Sequence, residues 1–355
     1  MSWLLAALGF MALIVLHELG HFAAAKAVGM RVERFMLFFP PILFKVRRGE
    51  TEYGIGAIPL GGYVRISGMS PREELPEDVA RRGYLAQPVW KRLVVITAGP
   101  LVNVLVAFAI LWGLFLANGS SEPTRRIAAI ESGQAATGVL EPGDRVLMVD
   151  GRAGSVEQLS KQIASHRCAG APRAGCRATA PARIAIERAG ARRTVTVVPR
   201  YDAELRRTRV GFAFARRTRD AGPLRAADLS AGAMWRVTSA TVEAIVHIFD
   251  RSDEISGVVG SYEVTRQSFD FDAQQALNVL AIISLSLAIV NLFPFLPLDG
   301  GHIFWALAEK LRRRPISFAV MERSSVIGFM LVMVLFVIGL TNDIERLRGE
   351  GFGVR

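Results

Sequence analysis

Four stretches of this chain are nearly free of charge: residues 3–25, 93–117, 277–298 and 324–340. Each is about as long as the 17–25 residues a helix needs to cross a hydrocarbon core. A helix on the surface of a soluble domain keeps one polar face towards water, and these stretches have none to offer. Composition agrees, since 51% of the residues are apolar and only 21% charged. The expected fold is a polytopic α-helical membrane protein with four transmembrane helices. The first stretch is expected to be retained, because residues 1–16 contain no Lys or Arg and a secretory signal peptide needs a positively charged start.

A net charge of +11 would suggest nucleic-acid binding in a soluble chain. Here the basic residues have a better explanation. Residues 26–92, between the first two spans, hold 12 Lys or Arg against 7 Asp or Glu. The short segment between the last two spans contains Lys310, Arg312, Arg313, Arg314 and Arg323. With four spans both segments lie on one side, and the positive-inside rule makes that side cytoplasmic. Both termini then face outward. The long segment between spans two and three carries 23 basic residues, but long loops translocate largely regardless of charge. The expected partner is the lipid bilayer, with no nucleic acid.

Chemistry enters at His17-Glu18-Leu19-Gly20-His21, the end of the first apolar stretch. Positions four apart share a helix face, so His17 and His21 can hold one metal ion, with Glu18 beside it as a general base. Ionisable residues inside membrane spans are costly and mark function. A catalytic zinc site needs three protein ligands and an open position, so a third must come from elsewhere. The run NLFPFLPLDGG, residues 291–301, offers one. Pro294 and Pro297 free backbone groups in an apolar run, which at membrane depth must line a cavity or be satisfied by protein. Asp299 follows at once, and a metal is the natural partner for a carboxylate there. The alternative, that Asp299 only opens the cytoplasmic loop, leaves the HExxH motif without its third ligand. The expected site is one Zn2+ per chain on His17, His21 and Asp299, with Glu18 catalytic.

Residues 51–68 read as a membrane-associated β-hairpin, alternating about Gly54 and Gly56, with a turn at Pro59-Leu60-Gly61-Gly62. Glycine this dense in a strand suggests close approach of another backbone. Residues 122–200 are the expected soluble domain: a turn-strand-turn over 140–151, a helix over 155–165, and strands over 182–187 and 194–198. The PGDRVLMVDG run within it resembles a PDZ domain, an α+β fold. Cys168 and Cys176, the only cysteines, flank a loop of Ala, Gly, Pro and Arg; on an outward-facing domain a disulfide is expected. Residues 226–272 begin with an amphipathic pattern (Leu229, Met234, Val237, Val242, Ile245, Ile248 and Phe249) and are expected to lie on the outer membrane surface rather than cross it. The membrane core is thus expected in two halves, residues 1–117 and 273–346.

HELGH near the start, the NLFPFLPLDGG run, the TAGPLVN segment (Thr97 to Asn103) and the inserted PDZ-like domain together resemble the site-2 protease family. The nearest branch is the bacterial regulator-of-sigma-E type, and the resemblance covers residues 1 to about 346. It implies an intramembrane zinc metalloprotease of the bacterial cytoplasmic membrane, with the site towards the cytoplasm and the PDZ-like domain outside. In that family two His and an Asp bind zinc and a Glu is the base, which matches His17, His21, Asp299 and Glu18. Asn291 matches a substrate-contacting Asn. Substrates implied are single-span proteins such as anti-sigma factors, or signal-peptide remnants. An exposed hairpin edge at Gly54 and Gly56 is expected to pair with an unwound substrate segment. The PDZ-like domain either captures a C-terminus or filters by size. Two other classes remain open: a proteolytically inactive zinc-binding scaffold, which would not need Glu18, and a metal-coupled transporter, which predicts inverted repeats that are not seen.

Overall fold

The computed structural model describes residues 2–70, 72–203, 205, 207–247, 257–314 and 316–349. In chain order the elements are α1 (Ser2–Ala27), β1 (Val32–Arg48), β2 (Thr51–Ile66), α2 (Glu77–Ala80), α3 (Val89–Asn118), β3 (Ser120–Ile130), β4 (Arg145–Val149), α4 (Val156–Ala164), β5 (Ala182–Arg188) and β6 (Ala191–Val197). They continue with β7 (Arg200–Asp202), β8 (Arg207–Arg209), β9 (Phe212–Arg219), α5 (Pro223–Val246), α6 (Val258–Phe271), α7 (Ala273–Asn291), α8 (Asp299–Arg312) and α9 (Phe318–Arg348). They form two compact units, Met1–Ala117 with Gly222–Arg355, and Asn118–Ala221.

Among the described helices, α1, α3, α7 and α9 are long and apolar enough to cross a membrane. α7 stops at Asn291, short of the Leu298 expected from the apolar run. The reason is local: Pro294 and Pro297 lack the N–H a helix needs and disfavour helical backbone in the residues before them. The next helix, α8, begins at Asp299. Its Gly300 and Gly301 lie hard against the loop backbone; a Cβ on Gly301 would fall 2.6 Å from the Phe295 carbonyl carbon.

The sheet of the first unit corrects the hairpin reading. β2 pairs with β1, a strand that the alternation in residues 51–68 does not reveal, and the two arms on either side of residues 59–62 do not pair with each other. Phe35 lies between Tyr53 and Val64, and Tyr53 between Phe35 and Val46. The rows therefore run 42–48, 51–56, 32–37 and 62–66, with the first half of β1 between the two arms of β2. Gly54 and Gly56 are consequently not at a free edge. A Cβ on Gly54 would meet the Phe44 carbonyl oxygen at 2.6 Å and the Met36 sulfur at 2.8 Å. The close backbone neighbour that these glycines admit is the chain's own β1. The row at 62–66 has β1 on one side and, among the described residues, no strand on the other.

The sheet is fastened to the helices by ion pairs and by apolar packing. Glu50, in the β1–β2 turn, accepts from Lys26 Nζ at the end of α1 (2.6 Å) and from two Arg82 nitrogens (2.8 and 2.9 Å). The Arg82 guanidinium, aided by Lys26, lowers the Glu50 carboxyl to about 2. Beside these ion pairs, Ala25, Met30, Val32, Ile66, Tyr84, Val95 and Ile96 form one buried apolar cluster joining α1, the sheet and α3. Buried Arg92 of α3 holds α8 by a two-pronged ion pair with Glu309 (2.8 and 3.0 Å).

The segment expected on the membrane surface is two helices, α5 and α6, and its residues 248–256 lie outside the described ones. α5 is not among the four apolar helices and leaves Leu224, Trp235 and Val246 strongly exposed. α6 packs against α1 and α7. Its first turn is capped from α9, where Asp343 accepts from the backbone N–H of Gly257 (3.1 Å) and Gly260 (2.7 Å).

The second unit is a five-stranded sheet in the order β6-β5-β4-β3-β9 beside α4, around Ile127, Val146, Val149, Leu159, Ile163, Ile184 and Ile186. α4 opens with a capping box in which Ser155 and Gln158 satisfy each other's backbone N–H. The unit extends beyond the expected 122–200 because β9, an apolar start with an arginine-rich end, closes the sheet against β3. Cys168 and Cys176 are joined in a disulfide.

Candidate metal centre

α1 puts His17 and His21 on one face, one turn apart, with their rings edge-on at 4.9 Å between centroids. Asp299, the first residue of α8, faces both. His17 Nε2 lies 3.3 Å from His21 Nε2 and 3.3 Å from Asp299 Oδ2, and His21 Nε2 lies 3.4 Å from the same oxygen. The three atoms form a nearly equilateral triangle. Tetrahedral bonds of about 2.0–2.1 Å set neighbouring ligand atoms about 3.3–3.4 Å apart, so the triangle has the dimensions of three corners of a zinc shell. Asp299 Oδ2 is buried with no hydrogen-bond partner, as a carboxylate oxygen awaiting a cation would be. The residues present fit the ion.

The fourth corner opens on a cavity of about 620 Å³, whose lining includes Glu18, Tyr63, Val64, Asn291, Asp299 and His302. Glu18 belongs to the same helical turn as His17 but points to the side of the sheet. A Cβ on Gly62 would sit 3.0 Å from Glu18 Cγ, so that glycine lets the outer sheet row lie directly on the carboxylate. Asn291, at the end of α7, reaches 3.5 Å from His17 Nε2. Gly54 and Gly56 are not in the cavity lining, and its sheet residues come from the Gly61–Ile66 row, with Phe39 of β1.

Several residues at the centre had no assigned role in the sequence. His21 Nδ1 is 2.8 Å from the Val95 carbonyl oxygen, and the amide of Asn103 is 3.2 Å from His17 Nδ1; both come from α3. Gly99, between them, faces the His21 ring: a Cβ there would fall 2.7 Å from Cε1 and 2.8 Å from Cδ2. Gly20 of the HELGH run plays the reciprocal part, since its Cβ would lie 2.7 Å from the Ala98 carbonyl oxygen. α1 and α3 can approach this closely only because both positions lack side chains. The one available signal was glycine within an otherwise apolar helix, which marks close packing without naming the partner. His302 stands three residues after Asp299 with its ring edge-on to Tyr84. Burial keeps the His302 imidazole below its ordinary pKa and pushes that of the Tyr84 phenol up.

The model of peptidase family M50 matches residues 5–335. A Synechocystis protein is 32% identical over 97% of this chain and 94% of its own length. One from Clostridium perfringens is 30% identical, covering 96% of this chain and 97% of the relative. A third, from Rhizobium meliloti, is 29% identical over 95% and 94%. All three are named as candidate zinc metalloproteases.

Proposed function

The chain belongs to peptidase family M50, and from that premise we propose that it is an intramembrane zinc endopeptidase of the site-2 protease type. It cuts membrane proteins within or near their transmembrane segments. The observation that carries this reading is the triangle of His17, His21 and Asp299 beside Glu18, held by the apolar α1 and the start of α8 and facing a cavity. The relatives' names supply the choice of zinc.

When bound by the two imidazoles and the Asp299 carboxylate, zinc supplies a Lewis acid and lowers the pKa of water towards about 7. The remaining work falls to the protein. Glu18 takes a proton from the attacking water as the new C–O bond forms, and delivers it to the amide nitrogen as the C–N bond breaks. Asn291 is close enough to hold the substrate backbone beside the scissile bond. A transmembrane helix hides its amides in internal hydrogen bonds and must be unwound first. The 62–66 row, with one side unpaired among the described residues, can accept the unwound segment as an added strand over Glu18. This role moves from Gly54 and Gly56 to the outer row.

The enzyme works in the bacterial cytoplasmic membrane, with the sheet and metal centre towards the cytoplasm and the second unit and both termini outside, as loop charge requires. The second unit acts as a PDZ-like domain that screens substrates, which are single-span proteins of the anti-sigma-factor kind or signal-peptide remnants. α5, with Trp235 and Leu224 exposed, lies on the outer lipid surface.

The test is metal content with cleavage, on protein purified in detergent and supplied with zinc. Wild type should hold one zinc per chain and cut a single-span reporter in liposomes. His17→Ala and Asp299→Ala should lose the metal, while Glu18→Gln should keep it and lose cleavage by at least about 100-fold. A folded wild type that takes up no zinc would overturn the proposal.

A further inference from the structure

The outer contacts of the two histidines impose a condition on Asn103. A neutral imidazole has one N–H and one lone pair. At His21 the assignment is forced: Nδ1 faces the Val95 carbonyl, which can only accept, so Nδ1 carries the proton and Nε2 offers its lone pair to the metal triangle. His17 also turns Nε2 to the triangle, so its Nδ1 must carry the proton too. Yet the amide atom placed 3.2 Å from His17 Nδ1 is Asn103 Nδ2, itself a donor, while Asn103 Oδ1 is buried without a partner. Two protons would face each other and an oxygen would face none. The oxygen and nitrogen of an amide are nearly equal in size, so the same contact serves either orientation.

We infer that Asn103 is a positioning residue of the metal centre, its amide oxygen accepting the Nδ1–H of His17 and so fixing that ring's tautomer and direction. The inference rests on the proposed zinc site. Asn103 is suited to the part because it is fully buried and held from a second side: its own carbonyl accepts the Ser284 hydroxyl of α7 at 2.9 Å. α3 thereby orients both ligand rings, through a backbone carbonyl for His21 and a side-chain oxygen for His17. Such outer partners set ligand basicity and ring orientation, and their loss costs about 10–100-fold in metal affinity.

The test compares zinc affinity, by chelator competition in detergent, for wild type, Asn103→Leu and Asn103→Asp. Leu removes the acceptor and should weaken zinc by about 10–100-fold. Asp keeps an acceptor but has no amide donor, and should bind zinc as tightly as wild type or more so. The nitrogen NMR shifts of histidine-labelled wild type should report His17 as the Nδ1–H tautomer, which keeps the test open even if the Leu variant does not fold. Three results would overturn the inference: a folded Leu variant with wild-type affinity, an Asp variant as weak as Leu, or the opposite tautomer. Wild type without zinc affinity would remove the metal site itself and this inference with it, an outcome distinct from the other three.

Discussion

Adding one methyl group at Gly99 should dismantle the metal centre without replacing a ligand. A Cβ there would stand 2.7 Å from His21 Cε1 and 2.8 Å from Cδ2, whereas carbon atoms in contact prefer about 3.5–4.0 Å. The His21 ring must therefore move by about 1 Å, against the roughly 0.2 Å that a metal–ligand distance tolerates. Relief by parting the helices would forfeit the close packing of Gly20 against the Ala98 carbonyl. Moving α1 would also break the His21–Val95 hydrogen bond. Displacing a ligand should cost at least as much as losing an outer partner, so Gly99→Ala is expected to weaken zinc by about 100-fold or more, near 2.7 kcal/mol. The control is Gly113→Ala on the same helix, where an added Cβ meets nothing within 4 Å and helix propensity improves by up to about 1 kcal/mol. The assay is chelator competition on detergent-purified protein, with circular dichroism to establish that both variants are folded. A folded Gly99→Ala protein that binds zinc within about twofold of wild type would refute the packing argument.

Three further outcomes are expected. Val64→Pro removes the backbone donor by which the outer sheet row meets Glu18, and should suppress cleavage of a membrane reporter while zinc binding persists; cleavage at the wild-type rate would exclude strand addition at that row. Glu309→Ala leaves Arg92 buried without its partner, and should cost about 2–3 kcal/mol, less than for a fully buried pair because Glu309 is partly exposed; a thermal midpoint unchanged from wild type would count against it. Glu50 has a folded pKa of about 2 against an ordinary 4.5, so its ion pairs add stability above pH 4.5 that is lost as the pH falls towards 2. Wild type should therefore melt above Glu50→Gln at neutral pH and converge with it in acid, and a difference independent of pH would contradict the assignment.

The helices could be read in advance because each depends on its own residues. Apolar length marks a span, and Pro294 and Pro297 mark where one must fail, although the stop was placed seven residues late, at Leu298 rather than Asn291. α4 follows from Ser155, Gln158 and the spacing of Leu159 and Ile163. The sheet could not be read in this way. Residues 51–68 alternate like a hairpin and do reverse near 59–62, but whether the arms pair together or admit β1 between them depends on a segment that the pattern does not mention. Periodicity gives a strand its faces and leaves its neighbours undefined.

The same division runs through the site. HExxH on a helix is a local geometry, one turn of 3.6 residues, so the pairing of His17 with His21 is written in the spacing alone. Asp299 stands out by chemical need, a carboxylate after two prolines in an apolar run. The sequence determined the four apolar stretches, the paired histidines with Glu18 beside them, and the family. Only the tertiary structure decided that Asp299 closes a triangle of about 3.3 Å, that α3 sets Val95 and Asn103 against the Nδ1 atoms of the two rings, and that the 62–66 row rather than Gly54 and Gly56 borders Glu18. The physical reason is range. Spacing along a helix or strand is set by backbone dihedrals within a few residues, while a contact such as Gly99 with His21 is a property of two surfaces that come together only when the chain packs.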